Sequence, residues 1–401
     1  MAKKTPTTDH LIFGGIFLII VCLPLYLLRF KIWQIPFTAL ELAIYILFVF
    51  WLREKIKSRK ISWPDKQFIA PIFFIFIGAA ISSLFSSDLR VSAGIYKGWF
   101  LDPLIFFIIF IDNVKSHHQI KKTFLALMLS GLVISIISFW YFLRHDMTFD
   151  HRLQAIYLSP NHLAMYLSPI FVLSFYFYAL IKKNIYKVSL FLFQVFCLAI
   201  IYLTYSYSSW LGLGAGLAFF FVLSFKKLGF AKYIILIFIL AVIFFMIWQI
   251  PSEKFQAFLH QYRSSWHSRL MVWQAAWLII KDHPLIGIGP GMFQKYYLDY
   301  QIYFEPYLEW AITQPHNIFL AFWLQTGLLG LMGFIWLIIV FFKAIFKNLS
   351  LLAIALAAAM AYTLVHGMLD ALYWKNDLSV FFWLIIGLAI ANLRLAKRLE
   401  R

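Results

Sequence analysis

Apolar residues run along this chain in stretches of roughly 20, the length of helix that crosses about 30 Å of hydrocarbon. Twelve such stretches can be read, at 11–28, 36–52, 67–84, 99–112, 122–143, 159–181, 188–204, 207–225, 231–249, 316–342, 349–370 and 378–393. Asp102-Pro103 interrupts the fourth, and a tight polar turn around Tyr205 and Ser206 divides the seventh from the eighth. Barrel strands would instead give short alternating segments. The pattern therefore predicts an all-α polytopic membrane protein of about twelve transmembrane helices, one integral membrane domain over residues 1–401. No internal repeat is visible by eye.

The stretch 250–315 stands apart. It is polar enough to leave the membrane, and it holds Arg263, Arg269, Trp266, Trp273, Trp277, His260, His267 and His283. From Ser264 to Ile280, the spacing of Leu270, Trp273, Trp277 and Ile280 predicts an amphipathic helix. A turn follows at 283–291, then a shorter aromatic stretch from Phe293 to Tyr303. Long loops with helices of their own are usually functional.

Composition narrows the class. The chain is 63% hydrophobic and 13% charged, with a mean hydropathy of +0.82, against about 45–50% and 25% for soluble domains. This excludes a soluble enzyme, a disordered chain and a disulfide scaffold. Cys22 and Cys197 lie inside apolar runs and behave as small hydrophobes. The net charge of +18 is dispersed in clusters between apolar runs, the signature of membrane topology and not of nucleic-acid binding. When loops are assigned to alternate sides, one side takes 23 of the 35 basic residues, from Lys3 and Lys4 to Arg398 and Arg401. The positive-inside rule puts that side, and both termini, in the cytoplasm, and the 250–315 loop outside. Met1-Ala-Lys-Lys before a long apolar run reads as an uncleaved first span.

Several residues carry candidate chemistry. Arg269, in Arg269-Leu-Met-Val-Trp273, offers a planar fork suited to phosphate oxygens, or it snorkels to headgroups beside a tryptophan belt. Arg263 shares that ambiguity. His316-Asn317 opens the tenth span, where the helix dipole would keep a neutral imidazole available as a base; equally, the pair caps the helix. Arg152 lies on the side poor in positive charge, and Asn161, just inside the sixth span, needs a partner there. Gly287, Gly289 and Gly291 form a tight turn at the membrane surface, with neither the strand nor the spacing of a dinucleotide fingerprint. His117-His118 is a solvated pair, and no residues have metal-ligand spacing. Glu41, Asp102, His366 and Asp370 are ionisable groups in or beside spans, and so candidates for function. His366 and Asp370, four apart, would share a face of the eleventh span as a relay, an acceptor-site pair or a structural tie.

From Arg269 onward the order is Arg269-x3-Trp273, Pro284-x2-Gly287-x-Gly289-x-Gly291-x-Phe293, His316-Asn317-x2-Leu320 and Gly327-x2-Gly330. Weaker echoes precede it in Arg152…Pro160-Asn161-x-Leu-Ala164 and Ser206-x3-Trp210-Leu-Gly212. In this order and spacing the chain resembles the O-antigen ligase and O-antigen polymerase family of bacterial membrane glycosyltransferases. The resemblance implies a C-type (GT-C) glycosyltransferase fold and transfer of a glycan from an undecaprenyl-diphosphate carrier to an acceptor hydroxyl at the outer face of the inner membrane. It implies neither a metal nor any other cofactor. The carrier diphosphate would fall to Arg269 and Arg152, with Arg263 nearby, and His316 would serve the acceptor. Asn161, Asn317, Trp273 and Ser206 would support them. Partners are the lipid-linked glycan, a glycan or lipid acceptor and membrane lipids, with no nucleic acid. Two positions depart from the family pattern: Tyr207 where Ser-Arg is frequent, and Gln325 where Glu precedes Thr-Gly.

The rival reading is a polytopic transporter or flippase, resting on the span count and on Glu41 and Asp102. Against it stand the missing repeats and paired broken spans. A relative that binds lipid-linked glycan without catalysis is the third.

Overall fold

The computed structural model describes residues 6–33, 35–225, 227, 265–304 and 311–399. The elements are α1 (Pro6–Val21), a 3₁₀ turn (Leu23–Leu27), β1 (Arg29–Ile32), β2 (Ile35–Thr38), α2 (Ala39–Ser58), α3 (Lys66–Leu84), α4 (Leu89–Tyr96), a π turn (Lys97–Leu101), α5 (Asp102–Asn113) and α6 (His117–Leu143). They continue with α7 (Pro160–Ser174), α8 (Asn184–Leu203), α9 (Tyr207–Ser224), α10 (Ser265–Asp282), α11 (Phe293–Tyr300), α12 (Ile318–Lys347), α13 (Leu351–Gly367) and α14 (Asn376–Leu399).

Local chemistry sets many of the starts. Thr38 and Glu41 form a reciprocal capping box at α2. Ser159 caps α7 with Pro160 in the first turn, and Asn317 accepts from the backbone N–H groups of Phe319 and Leu320 to cap α12.

Among the described residues, eight helices are long and apolar enough to cross a membrane. They match the third to eighth, tenth and twelfth expected spans, and the chain is a multi-pass membrane protein. The first and eleventh spans are shorter helices, His10–Val21 and Leu351–Gly367. The second starts later than expected, because residues 36–38 belong to a small antiparallel hairpin that pairs Arg29 with Thr38. The ninth span, 231–249, lies outside the described residues, as do Arg263 and residues 250–264 of the long loop.

The fourth span is longer than 99–112. It runs unbroken through Leu89–Asn113, and the π turn explains how it passes Pro103. Proline has no N–H to give to the carbonyl four residues back, and the Asp102 N–H reaches past Gly98 to the Lys97 carbonyl. The Gly98 and Trp99 carbonyls are thereby released. Asn376 Nδ2 donates to Gly98 at 3.3 Å, and the Tyr373 hydroxyl to Trp99 at 2.8 Å. Both donors come from the segment entering α14, so the irregular turn docks that helix.

α14 lies at the centre, with 89% of its most apolar stretch buried. His162 on α7 meets Asp377 on α14 at 3.2 Å, beneath the Tyr157 ring at 4.5 Å. This buried pair holds the starts of α7 and α14 together. α3 and α12 pack backbone to backbone: a Cβ on Gly78 would lie 2.6 Å from the Gly330 nitrogen.

Candidate functional site

Five segments distant in sequence meet at the end of the bundle where α7, α12 and α14 begin. α12 starts at Ile318, so His316 stands just outside the helix and not in its first turn as expected. Its φ of +48° is rare for a side-chain-bearing residue and is often found at functional sites. There its Nδ1 lies 3.1 Å from Asp370 Oδ1. The partner is Asp370, and the dipole argument for His316 gives way to this contact.

Asp370 was expected on the eleventh span beside His366. α13 stops at Gly367, and Asp370 lies in the connection beyond it, 6% exposed. Its other oxygen accepts from Asn161 Nδ2 at 3.0 Å, and the Ala371 N–H donates to Oδ1. Burial would raise its pKa, but His316, His366 and Arg269 outweigh burial and hold the carboxyl well below the usual carboxylate range. An ionised carboxylate only accepts, which places the His316 hydrogen on Nδ1 and leaves Nε2 as the basic nitrogen. His366 sits nearby, with Nδ1 2.6 Å from the Tyr362 hydroxyl and Nε2 buried without a hydrogen-bond partner among the described residues.

Asn161 also accepts from Arg152 Nη2 at 2.6 Å, which makes it the bridge between Arg152 and Asp370. Arg152 Nε donates to the Thr204 carbonyl at 2.8 Å, fixing the guanidinium against the α8–α9 turn. Burial and the neighbouring Arg269 lower the Arg152 pKa, while Asp150 and Asp370 offset them. An arginine stays charged under such shifts. Two guanidiniums within electrostatic reach of each other favour an anion between them. Arg269 Nε donates to the Leu369 carbonyl at 2.9 Å, next to Asp370.

Trp273 Nε1 donates to the His316 carbonyl at 3.3 Å, and Asn317 Nδ2 to the Met368 carbonyl at 3.1 Å. Ser206 stays outside this network: buried at the start of α9, it meets Ser208. Its neighbour Tyr207 lies within electrostatic reach of Arg152. Glu41 and Asp102 lie in a separate cluster around Lys97, at 2.7 and 3.7 Å. Asn376 and Tyr45 donate to them.

Of the four residues expected on the buried face of the long loop's first described helix, Ile280 alone is fully buried and Trp273 is half-buried. Val272, Ala275, Ala276 and Ile279 are fully buried, whereas Leu270 and Trp277 are exposed. Small residues let α10 pack close, and the large indoles sit at the rim, where Trp277 meets Trp323 edge-on. The glycine run forms a turn packed against α12. Gly287 and Gly289 are buried with positive φ. α12 breaks at Gly327 (φ +68°), and the turn exchanges backbone bonds across the break. Leu328 N–H donates to Leu285 at 2.9 Å and Ile288 N–H to Leu324 at 2.6 Å. Gln325 completes the junction, accepting from Gly291 N–H at 2.9 Å and donating to Gln314 at 2.7 Å.

A polytopic helical chain with a half-buried His-Asp pair beside two arginines has the makings of a membrane group-transfer enzyme. The family model for O-antigen ligase matches residues 192–335, a stretch that contains Arg269 and His316 but not Arg152, Asn161 or Asp370. The match supports an O-antigen ligase and polymerase family assignment and indicates a glycosyltransferase-type enzyme. No curated protein matches the chain.

Proposed function

We propose that this protein transfers a glycan from an undecaprenyl-diphosphate carrier to an acceptor hydroxyl, at the outer face of the inner membrane. The proposal includes twelve spans in a GT-C-type fold, both termini in the cytoplasm and no metal. The observation that carries it is the joining of Arg152, Asn161, Asp370 and His316 in one hydrogen-bonded row, with Arg269 beside it.

In this reaction the acceptor hydroxyl gives its proton to His316 Nε2 as its oxygen bonds to the anomeric carbon. The bond from that carbon to the carrier diphosphate breaks, and the diphosphate leaves with the electron pair. Arg152 and Arg269 match the charge that develops on it. Asp370 holds the imidazole by Nδ1 and stabilises the imidazolium, which passes its proton on to solvent or the departing diphosphate. The polyprenyl chain remains in lipid throughout. A transport reading draws less support, because Glu41 and Asp102 are both engaged by Lys97.

The test is release of undecaprenyl diphosphate from a lipid-linked oligosaccharide by the purified protein, with an acceptor extract from its own host. Release by wild type, lost in Arg269→Ala and His316→Ala, is the expected result. Bound lipid-linked glycan with no release under any acceptor would favour a binding or flipping role.

A further inference from the structure

The opposite end of the bundle carries a second feature. α14 leaves the site segment and runs for 24 residues, about 36 Å at 1.5 Å per residue. Beside its last turn a cavity of about 250 Å³ opens against the connection between α5 and α6. Lys115, Arg394, Lys397 and Arg398 line it together with the apolar Val114 and Leu395.

Among the described residues, the cations there outnumber the carboxylates that pair with them. Asp65 serves both Arg394, at 3.6 Å, and Lys397. Asp112 serves Lys55 and, at 3.9 Å, Lys115. Arg398 makes no ion pair among the described residues. Arg394 is fixed in place, donating to the Ile111 carbonyl at 2.9 Å and to the Trp63 carbonyl. The Trp63 ring is 60% exposed, as expected for an indole at headgroup depth.

A half-open cavity lined by surplus positive charge and by aliphatic side chains suits a phosphodiester whose tail lies in lipid. Basic pockets between helices at a membrane surface bind anionic headgroups in this way. We propose that this cavity binds the headgroup phosphate of an anionic phospholipid, remote from the glycan-transfer site. The aliphatic lining and the position at the ends of spanning helices favour a lipid over free phosphate.

The experiment is native mass spectrometry of the full chain, released from mixed micelles holding equal phosphatidylglycerol and phosphatidylcholine. Wild type should retain phosphatidylglycerol in preference. The Lys115→Gln/Arg398→Gln double variant should lose that preference by about 30-fold, at about 1 kcal/mol for each cation near the surface. Arg398→Gln alone, which removes only an exposed side chain, should lose several-fold. Equal retention of the two lipids would overturn the proposal, and so would a preference unchanged in both variants. Displacement of bound phosphatidylglycerol by millimolar inorganic phosphate would reassign the cavity to the free anion.

Discussion

His316 and Asp370 lie 54 positions apart in sequence and meet at 3.1 Å, one from the start of α12 and the other from the turn after α13. The contact fixes which imidazole nitrogen faces the reaction. Asp370 is itself held by Asn161, whose carbonyl oxygen takes a guanidinium hydrogen from Arg152. The proposed base and one of the proposed diphosphate ligands are thus linked through a single amide.

Asp370→Asn should leave the fold intact and lower kcat by about 10²- to 10³-fold, within the range attributed to positioned general bases. An amide can donate to Nδ1, which would move the ring hydrogen to Nε2 and remove the base. Acceptor KM should change little. Steady-state kinetics on the purified variant checks this, and a loss confined to KM would count against the assignment.

The same carboxylate makes stability pH-dependent. Its pKa is lowered on folding, so the unfolded chain binds the proton more tightly. The contribution is complete above the ordinary carboxylate range, near pH 4, and is lost as the pH falls toward the lowered native value. Melting of the detergent-solubilised protein between pH 7 and pH 3 should show wild type losing more stability than Asp370→Asn. Parallel curves would refute the coupling.

Neither arginine should tolerate lysine. Arg152 divides its fork between the Thr204 carbonyl and Asn161, a geometry a single ammonium cannot span. Losing one charge-assisted bond of about 1.5–3 kcal/mol should reduce kcat/KM by roughly 10- to 100-fold in Arg152→Lys. Arg269→Lys should fall at least as far. Undecaprenyl diphosphate release at limiting donor measures both, and wild-type turnover in Arg269→Lys would remove diphosphate gripping from its role.

Long apolar runs made most of the helices legible, because burial in lipid requires an unbroken run wherever it occurs. Arg152, Asn161, Arg269 and His316 were legible as candidates through their spacing. Their meeting was not, because it depends on a left-handed His316 and on α13 ending at Gly367, neither of which has a local signal. Asp370 was legible as an ionisable group paired with His366, and not as the partner of His316. The hairpin at 29–38 escaped notice because its apolar residues merge with the flanking spans and its turn at Trp33 lacks a glycine or asparagine. On α10, hydrophobic spacing pointed to the indoles, whereas close packing selected the alanines.

Gln325, where the family frequently has glutamate, lies in the junction between loop and span and not in the row from Arg152 to His316. Its two bonds are made to Gly291 N–H and the Gln314 amide. A carboxylate could accept from both once the Gln314 amide turns over. Gln325→Glu should therefore retain activity within a few-fold. Gln325→Leu should lose about 1–3 kcal/mol, the cost of a buried N–H left without an acceptor. Transfer rates and melting temperatures of the pair separate the two effects; equal loss of activity in both would give Gln325 a direct part in the chemistry.

The exchange of backbone bonds across Gly327 gives the last prediction. The Leu328 N–H, which an unbroken helix would turn to Leu324, donates to Leu285, and the released Leu324 carbonyl accepts from Ile288. This stitching requires two backbones in contact at positive φ. A Cβ on Gly287 would lie 2.4 Å from the Leu324 oxygen, and one on Gly327 2.5 Å from the Leu285 oxygen. Gly287→Ala should therefore detach the loop from the span, at a cost of at least about 1–3 kcal/mol from the strained backbone alone. Arg269 and Trp273 precede this junction on the same loop and His316 leads into α12, so transfer should fail along with stability. Limited proteolysis should then cut near residue 287 in the variant and not in wild type. A variant that resists the protease and still transfers would mean that the junction does not hold the site.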